Sequence, residues 1–296
     1  MKHSTRLWIG ALAVLVCLAL AGQAALAEDG IIYVDANAAG ANNGTSWADA
    51  FTALQPALDA ALSGDQIWVA TGTYKPTLAL TPGDSRSVSF LLKNGVAIYG
   101  GFAGIETGLE QRDWVTNPTI LSGNLDSSRA YHVVTGIGVD GSTILDGFTI
   151  TGGNANGACD MAEDCYGGGM YNNFSSMPSL TNILFSANYA TYGGGMYNNS
   201  NSNATLSHVT FSDNSVGNMG GGMYNSSSAP MLTDVTFSGN VSSSYGGGMY
   251  NWYCSPTLTH VTFTTNQSDY GGGVYNYYSN PTLTDNTFSG NSGSGM

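Results

Sequence analysis

Basic residues are scarce in this chain, and those present are unevenly placed. Seven of 296 residues are Lys or Arg, against twenty Asp or Glu, for a net charge of −13. Arg129 is the last of the seven, and no Lys or Arg occurs from Ala130 to Met296. A surface so short of cations argues against nucleic acid and against anionic membranes as partners. The plain reading of the acid excess is solubility. Four cysteines are too few for a disulfide-dense scaffold. Long apolar runs are missing after Leu20, so the mature region is expected not to insert in a membrane.

The one apolar run lies at the start. Lys2 and Arg6 precede Leu7 to Leu20, and Ala25-Leu26-Ala27 follows as a small-residue cleavage site. Residues 1–27 thus read as a Sec-type signal peptide, which implies a secreted or cell-surface protein. Its removal takes two basic residues and no acid.

What the chain has in abundance is a repeated phrase. GGGMYN begins at Gly167 and returns at Gly193, Gly220, Gly246 and Gly271, the last copy reading GGGVYN, with spacings of 26, 27, 26 and 25 residues. Between the copies lies a second phrase, as in Leu206-Ser-His-Val-Thr-Phe-Ser-Asp-Asn214. A fixed period of this size marks a solenoid, whose units bury their apolar faces only on one another. LxxVxFxxN also fits a leucine-rich repeat. The rest of the unit opposes that reading, because three adjacent glycines and polar residues replace the apolar convex segment. Two or three short strands per unit, cut by Gly, Asn, Ser and Pro, point to an all-β fold, a parallel β-helix.

Stacked coils ~4.8 Å apart put equivalent side chains above one another. Val209, Val235 and Val261 should then face inward with Phe185, Phe211, Phe237, Phe263 and Phe288, since residues two apart share a face. Met170, Met196, Met223, Met249 and Val274 form a second core column, with the neighbouring tyrosines turned the other way. The FxxN asparagines should form a ladder at one corner. The glycine triplet should supply another.

FSGN paired with GGGMYN resembles the FxxN and GGA(I/L/V) repeats of bacterial polymorphic outer-membrane proteins. More broadly it is similar to exported proteins with right-handed parallel β-helix repeats and a pectin-lyase-like fold. YVDANAAGANNGTSWADAF, GDQIWVATGTYKP, NGVAIYGGFAG and ILDGFTITGGNANG resemble the leading coils of such proteins. The resemblance implies a right-handed parallel β-helix exported to a surface. It implies no particular chemistry.

Before the repeats, residues 28–65 read as a strand (Ile31–Val34) and a short capping helix. Thr52 and Gln55 fit a capping box, with Leu54, Ala57, Leu58, Ala61 and Leu62 on one face. Such a helix would cover the open end of the core. Residues 66–165 read as irregular leading coils, with loops thrown out at 77–87 and 103–117. Residues 166–296 hold the five repeats. The last phrase ends at Asn291 and is followed only by Ser292 to Met296. The expectation is a chain truncated at its C-terminus.

Candidate chemistry is sparse. Cys159 and Cys165 flank an acidic segment and are expected to bridge. Asp160, Glu163 and Asp164 inside it are candidate Ca²⁺ ligands, against the simpler reading of a solvated acidic loop that needs no cofactor. Cys254 is left as a free, packed thiol. The third residue of the second phrase runs Asn182, His208, Asp234, His260, Asp285. That column is either a polar ladder or a place for a transition metal, and the missing third convergent ligand favours the ladder.

Catalysis would require more. The β-helix lyases that the chain would resemble use Arg or Lys beside Ca²⁺ on clustered aspartates. The repeats contain neither cation, their acids are dispersed, and the paired carboxylates of a hydrolase are not in view. Arg86, Arg112 and Arg129 keep a polysaccharide lyase as the alternative. The favoured reading is a non-enzymatic surface scaffold for adhesion, or for binding an extracellular glycan or protein. Trp252, Tyr253, Tyr277 and Tyr278 are its candidate contacts, with Phe174 in the same part of an earlier unit.

Overall fold

The computed structural model describes residues 30–159 and 164–294. The signal-peptide reading of residues 1–27 lies outside these, as do Asp160 and Glu163.

Each repeat is divided by residues whose backbone enters the left-handed region. In one coil these are His208 (φ 54°), Asp213 (φ 55°), Gly220 (φ 73°) and Ser227 (φ 49°). A left-handed residue breaks the extended run and turns the chain. Four such corners leave four strands: Thr205–Ser207, Thr210–Ser212, Ser215–Met219 and Met223–Ser226. The unit therefore has four strands, where the sequence pattern suggested two or three. Short polar stretches such as Ser215–Met219 carry too little apolar signal to read as strands.

Stacking these strands builds four parallel walls of nine, eight, seven and six strands. We name them by their inward residues. The Leu wall runs from Ile31–Val34 to Thr282–Thr284, and the Phe wall from Gly72–Tyr74 to Thr287–Ser289. The Met wall runs from Phe90–Leu91 to Val274–Tyr277. A short wall runs from Asn154–Ala155 to Ser292–Ser294. Equivalent residues pair in register, as in Leu206↔Leu232, Phe211↔Phe237 and Met223↔Met249. The fold is a parallel β-helix, with the right-handed turn that parallel β connections take.

The core follows the expected columns. Phe185, Phe211, Phe237 and Phe263 are fully buried. Successive rings stack 4.7 to 4.8 Å apart, which is the strand spacing itself. Met170, Met196, Met223 and Met249 are equally buried. The glycine triplet fits only without side chains. A Cβ on Gly222 would lie 2.6 Å from the Gly248 carbonyl oxygen and 2.7 Å from the Phe237 ring. On the last coil, Leu283 and Phe288 are 51% and 42% exposed, since no described coil stacks on them.

Two asparagine ladders run through the interior. Asn188, Asn214, Asn240, Asn266 and Asn291 are joined by side-chain amide bonds of 2.9 to 3.0 Å. The second ladder, which the sequence reading did not anticipate, is the Asn of GGGMYN. It links Asn172, Asn198, Asn225, Asn251 and Asn276.

The N-terminal helix is Leu54–Ala60 and buries Leu54, Ala57 and Leu58, with Ala61 just beyond it. The capping box is not there. Ala53 is the N-cap and makes no side-chain bond. Gln55 instead donates to Asp59, and Thr52 bonds to Asn42. Leu62 lies past the helix end and is 62% exposed, so it leaves the apolar face. Lys93 Nζ closes the helix C-terminus by donating to the carbonyls of Asp59 and Ala61. The helix terminus is favourable ground for that cation.

Candidate functional site

Strand alternation decides which side chains of GGGMYN reach the outside. Met and Asn face inward, so Tyr points out, and so does the residue two places on. Tyr171, Tyr197, Tyr224 and Tyr250 do point away from the core, yet they are buried, at 4 to 8% exposure. They are covered by the residue preceding each glycine triplet: Tyr166, Tyr192, Met219 and Tyr245. Tyr166 lies 4.6 Å from Tyr197, and Tyr245 lies 4.7 Å from Tyr275. The outer side of the Met wall is thus a second, aromatic core. Burial raises the phenol pKa of Tyr224 well above the usual range, and that of Tyr250 to about 12. A recurring Tyr or Met before each triplet was the available sequence signal.

At the last two coils this aromatic layer opens to solvent. The second outward position is Asn173, Asn199 and Ser226 in the earlier coils, then Trp252 and Tyr277. The left-handed residue beyond it is Ser227, then Tyr253 and Tyr278. Tyr253 and Tyr278 stack at 4.9 Å and 14°, while Trp252 and Tyr277 stand edge-on to them at 4.6 to 5.8 Å. All four rings are exposed, from 37% for Trp252 to 72% for Tyr278. The structure brings these four together as one platform. Phe174 is exposed but separate, because the two intervening coils carry Ser200, Asn201 and Ser227 at the tip.

The corner between the Leu and Phe walls carries the polar column. Asn182, His208, Asp234, His260 and Asp285 are all left-handed, with φ between 51° and 54°. Their heads project outward in a line. Asn182 donates to Asp146 at 2.8 Å, and Asp146 pairs with Arg112. Lower down, His208 Nε2 and Asp234 Oδ2 are 3.8 Å apart, and Asp234 Oδ1 and His260 Nδ1 3.4 Å. His260 Nε2 and Asp285 Oδ2 are 3.7 Å apart. Beside this column a cleft of about 380 Å³ lies under Trp114, floored by Thr149, Asn182, His208 and Thr210.

The three arginines have different surroundings. Arg112 is almost enclosed, paired with Asp146 and set against the Tyr99 and Trp114 rings at 5.2 and 4.9 Å. Arg86 donates to the carbonyls of Arg129 and Asn154 and to Asn156, and its guanidinium lies over Tyr131. Arg129 is exposed.

Cys159 and Cys165 are joined by a disulfide. Asp164 is half-buried next to Cys165. Among the described residues no three His, Cys, Asp or Glu side chains converge on one point. Cys254 is a buried free thiol, and burial raises its pKa. No helix among the described residues is long and apolar enough to cross a membrane.

No protein-family model matches the chain, and no curated protein does. Among solved structures it is similar to the crystal structure of pectate lyase Pel9A, at 14% identity and a TM-score of 0.49, over 89% of this chain and 79% of that one. Its own four walls of in-register parallel strands make this chain a parallel β-helix.

Proposed function

We propose that this protein is an exported or cell-surface scaffold that binds extracellular polysaccharide without turning it over, using Trp252, Tyr253, Tyr277 and Tyr278. The observation that carries the reading is the platform itself. Four exposed rings stand on two adjacent coils, where the two preceding coils carry Ser and Asn. Rings of this kind offer broad apolar faces, with phenol and indole groups at their edges for hydroxyl partners. Stacked coils hold them rigidly, so little side-chain entropy is lost on binding. No Lys or Arg lies anywhere beyond Arg129, and the chain carries a net charge of −13. A neutral glycan suits that surface, whereas a polyuronate would approach against repulsion.

Two of the three arginines that could serve a lyase support the same reading. Arg112 is occupied by Asp146, and Arg86 by backbone carbonyls. Neither presents a free guanidinium to a substrate.

Binding to arrayed neutral and uronate polysaccharides, run beside a pectate β-elimination assay, tests the proposal. Neutral-glycan binding should fall at least ~10-fold in Trp252→Ala and Tyr278→Ala and be unchanged in Arg129→Ala. Unsaturated-uronate absorbance should not develop, with or without Ca²⁺. Turnover that Arg129→Ala abolishes, or glycan binding indifferent to both aromatic changes, would overturn it.

A further inference from the structure

The histidines at the Leu–Phe corner invite a physical explanation. A left-handed backbone favours Asn, Asp and His, so the corner alone could account for the residue types. A second left-handed corner on the same coils, after the Phe wall, tests that account. It uses Ala187, Asp213, Gly239, Thr265 and Gly290. Tolerance of positive φ is therefore met there without a single imidazole. The Leu–Phe corner instead alternates His208, Asp234, His260 and Asp285, placing an imidazole next to a carboxylate at every step.

The distances within that line are informative. At 3.4 to 3.8 Å the nitrogen–oxygen pairs are longer than a hydrogen bond, which falls at about 2.7–3.2 Å. Two ligands bound to one tetrahedral ion at about 2.0–2.1 Å stand about 3.4 Å apart. Asp234 Oδ1 and His260 Nδ1 have that separation, at 3.4 Å. Asp234 Oδ2 and His208 Nε2 exceed it by a few tenths, at 3.8 Å, a gap that exposed side chains close by small rotations.

We infer that Asp234 is a bridging carboxylate that holds divalent transition-metal ions against His260 on one side and His208 on the other. Asp234 Oδ1 and His260 Nδ1 bind the first ion. Asp234 Oδ2 and His208 Nε2 bind the second. Solvent completes each coordination shell, since the side chains of His208, Asp234 and His260 are 63%, 44% and 56% exposed. A polar group stands at the far nitrogen of each ring. Ser207 Oγ is 2.9 Å from His208 Nδ1, which leaves Nε2 for the ion. Asp285 faces His260 Nε2, which leaves Nδ1. A hydrogen bond at the far nitrogen is the usual way a ligating imidazole is oriented; Ser207 makes that bond to His208, and Asp285 stands 3.7 Å from His260, one small rotation short of it. One imidazole and one carboxylate oxygen select Zn²⁺, Ni²⁺ or Cu²⁺ over Ca²⁺ and Mg²⁺. Two protein ligands per ion make this a low-affinity surface site, distinct from a closed structural one.

Titration calorimetry with Zn²⁺ on the untagged chain tests this, with histidine NMR signals as a second readout. The parent should take up about two ions that Asp234→Gly loses, glycine being suited to the left-handed corner. His208→Asn and His260→Asn should each lose about one. The His208 and His260 ring signals should shift with Zn²⁺ and not with Ca²⁺, while buried His132 stays fixed. Uptake identical in the parent and Asp234→Gly, or unshifted His208 and His260 signals at saturating Zn²⁺, would overturn the inference.

Discussion

Asn188 donates twice to one atom of Asn214: its backbone N–H and its side-chain amide both reach Oδ1, at 3.2 and 3.0 Å. Asn214 in turn gives its own amide to the Phe185 carbonyl at 2.9 Å and to Asn240 at 3.0 Å. Each rung thus ties its own coil both to the one before and to the one after, and Asn188, Asn214 and Asn240 are all buried.

Removing a rung should expose that double duty. Asn214→Ala leaves the Asn188 N–H unpaired in a dry interior, at about 1–3 kcal/mol, and takes a donor from the Phe185 carbonyl. Asn214→Asp should be worse at neutral pH, because a carboxylate would face a carbonyl oxygen. Burial would raise that carboxyl's folded pKa above its unfolded value near 3.9. The deficit should therefore shrink as pH falls and the protonated acid becomes a donor. Urea unfolding of parent and variants at pH 7 and pH 4 measures both. An aspartate variant as stable as the parent at pH 7 would refute the ladder's role.

The phenylalanine column allows a comparison within one protein. Phe237 is fully buried between Phe211 and Phe263, whereas Phe288 is 42% exposed. Phe237→Ala should cost about 3–5 kcal/mol as a buried aromatic truncation, and Phe288→Ala well under half of that. Ser227→Ala, at an exposed tip, should be nearly silent. Equal losses at Phe237 and Phe288 would mean that the column is not packed as described.

How much of this could be read from sequence depends on whether a feature repeats. Phe211 and Met223 recur at a fixed interval with their neighbours, so column, parity and first ladder were all legible. The second ladder through Asn225 recurs just as regularly. It was missed because an Asn beside Tyr reads as turn or surface, and only strand parity sends it inward. Features of the leading coils occur once, and their partners are remote in sequence. Arg112–Asp146 is of this kind, whereas the Gln55–Asp59 contact that replaced the expected capping box is local and was hidden because Gln55 has two partners within one helical turn to choose from. The aromatic platform was legible residue by residue, but its separation from Phe174 needed the coil count between them.

Acid should destabilise the protein through His132. The ring is buried, donates from Nδ1 to the Gly167 carbonyl at 3.0 Å and stacks on Tyr171. Burial, the dominant influence, lowers its pKa from 6.5 to about 4. A depressed histidine is held neutral in the fold. The unfolded chain binds its proton first as pH falls below about 6.5, and stability declines down to about pH 4. The loss is on the order of 3 kcal/mol. His132→Gln keeps an amide donor and should flatten the profile between those limits. An unaltered acid slope in that variant would assign the loss to carboxylates.

Base should act on the tyrosine layer in the opposite direction. Burial raises the Tyr250 phenol from 10 to about 12 and shifts Tyr224 the same way. A raised phenol is uncharged in the fold, so its contribution is complete below pH 10 and is lost as pH rises toward 12. Alkaline unfolding followed by circular dichroism, beside phenolate absorbance, measures this. Tyr224→Phe, which keeps the ring and removes the ionisable group, should extend the stable range upward. Simultaneous ionisation of every tyrosine without unfolding would show that the layer is solvated.

Cys254 stands where the other coils carry serine. Ser176, Ser202, Ser228 and Ser279 occupy the equivalent corner position, and the backbone N–H of one residue donates to the hydroxyl of the next, as from Ser176 to Ser202 and from Ser202 to Ser228 at 3.1 and 3.0 Å. The Cys254 N–H keeps that bond to Ser279, also at 3.0 Å. Its thiol reaches the Asn225 carbonyl at 3.7 Å and Asn251 at 3.9 Å, both long contacts. A thiol is a weak donor and a weak acceptor, so this rung is the weak one. Cys254→Ser should restore the ladder and be neutral or stabilising by about 1 kcal/mol, whereas Cys254→Ala should be destabilising. Thermal unfolding of the two variants decides the matter. A serine variant less stable than the alanine variant would show that the thiol is retained for its apolar packing, and that the hydroxyl ladder ends at Ser228.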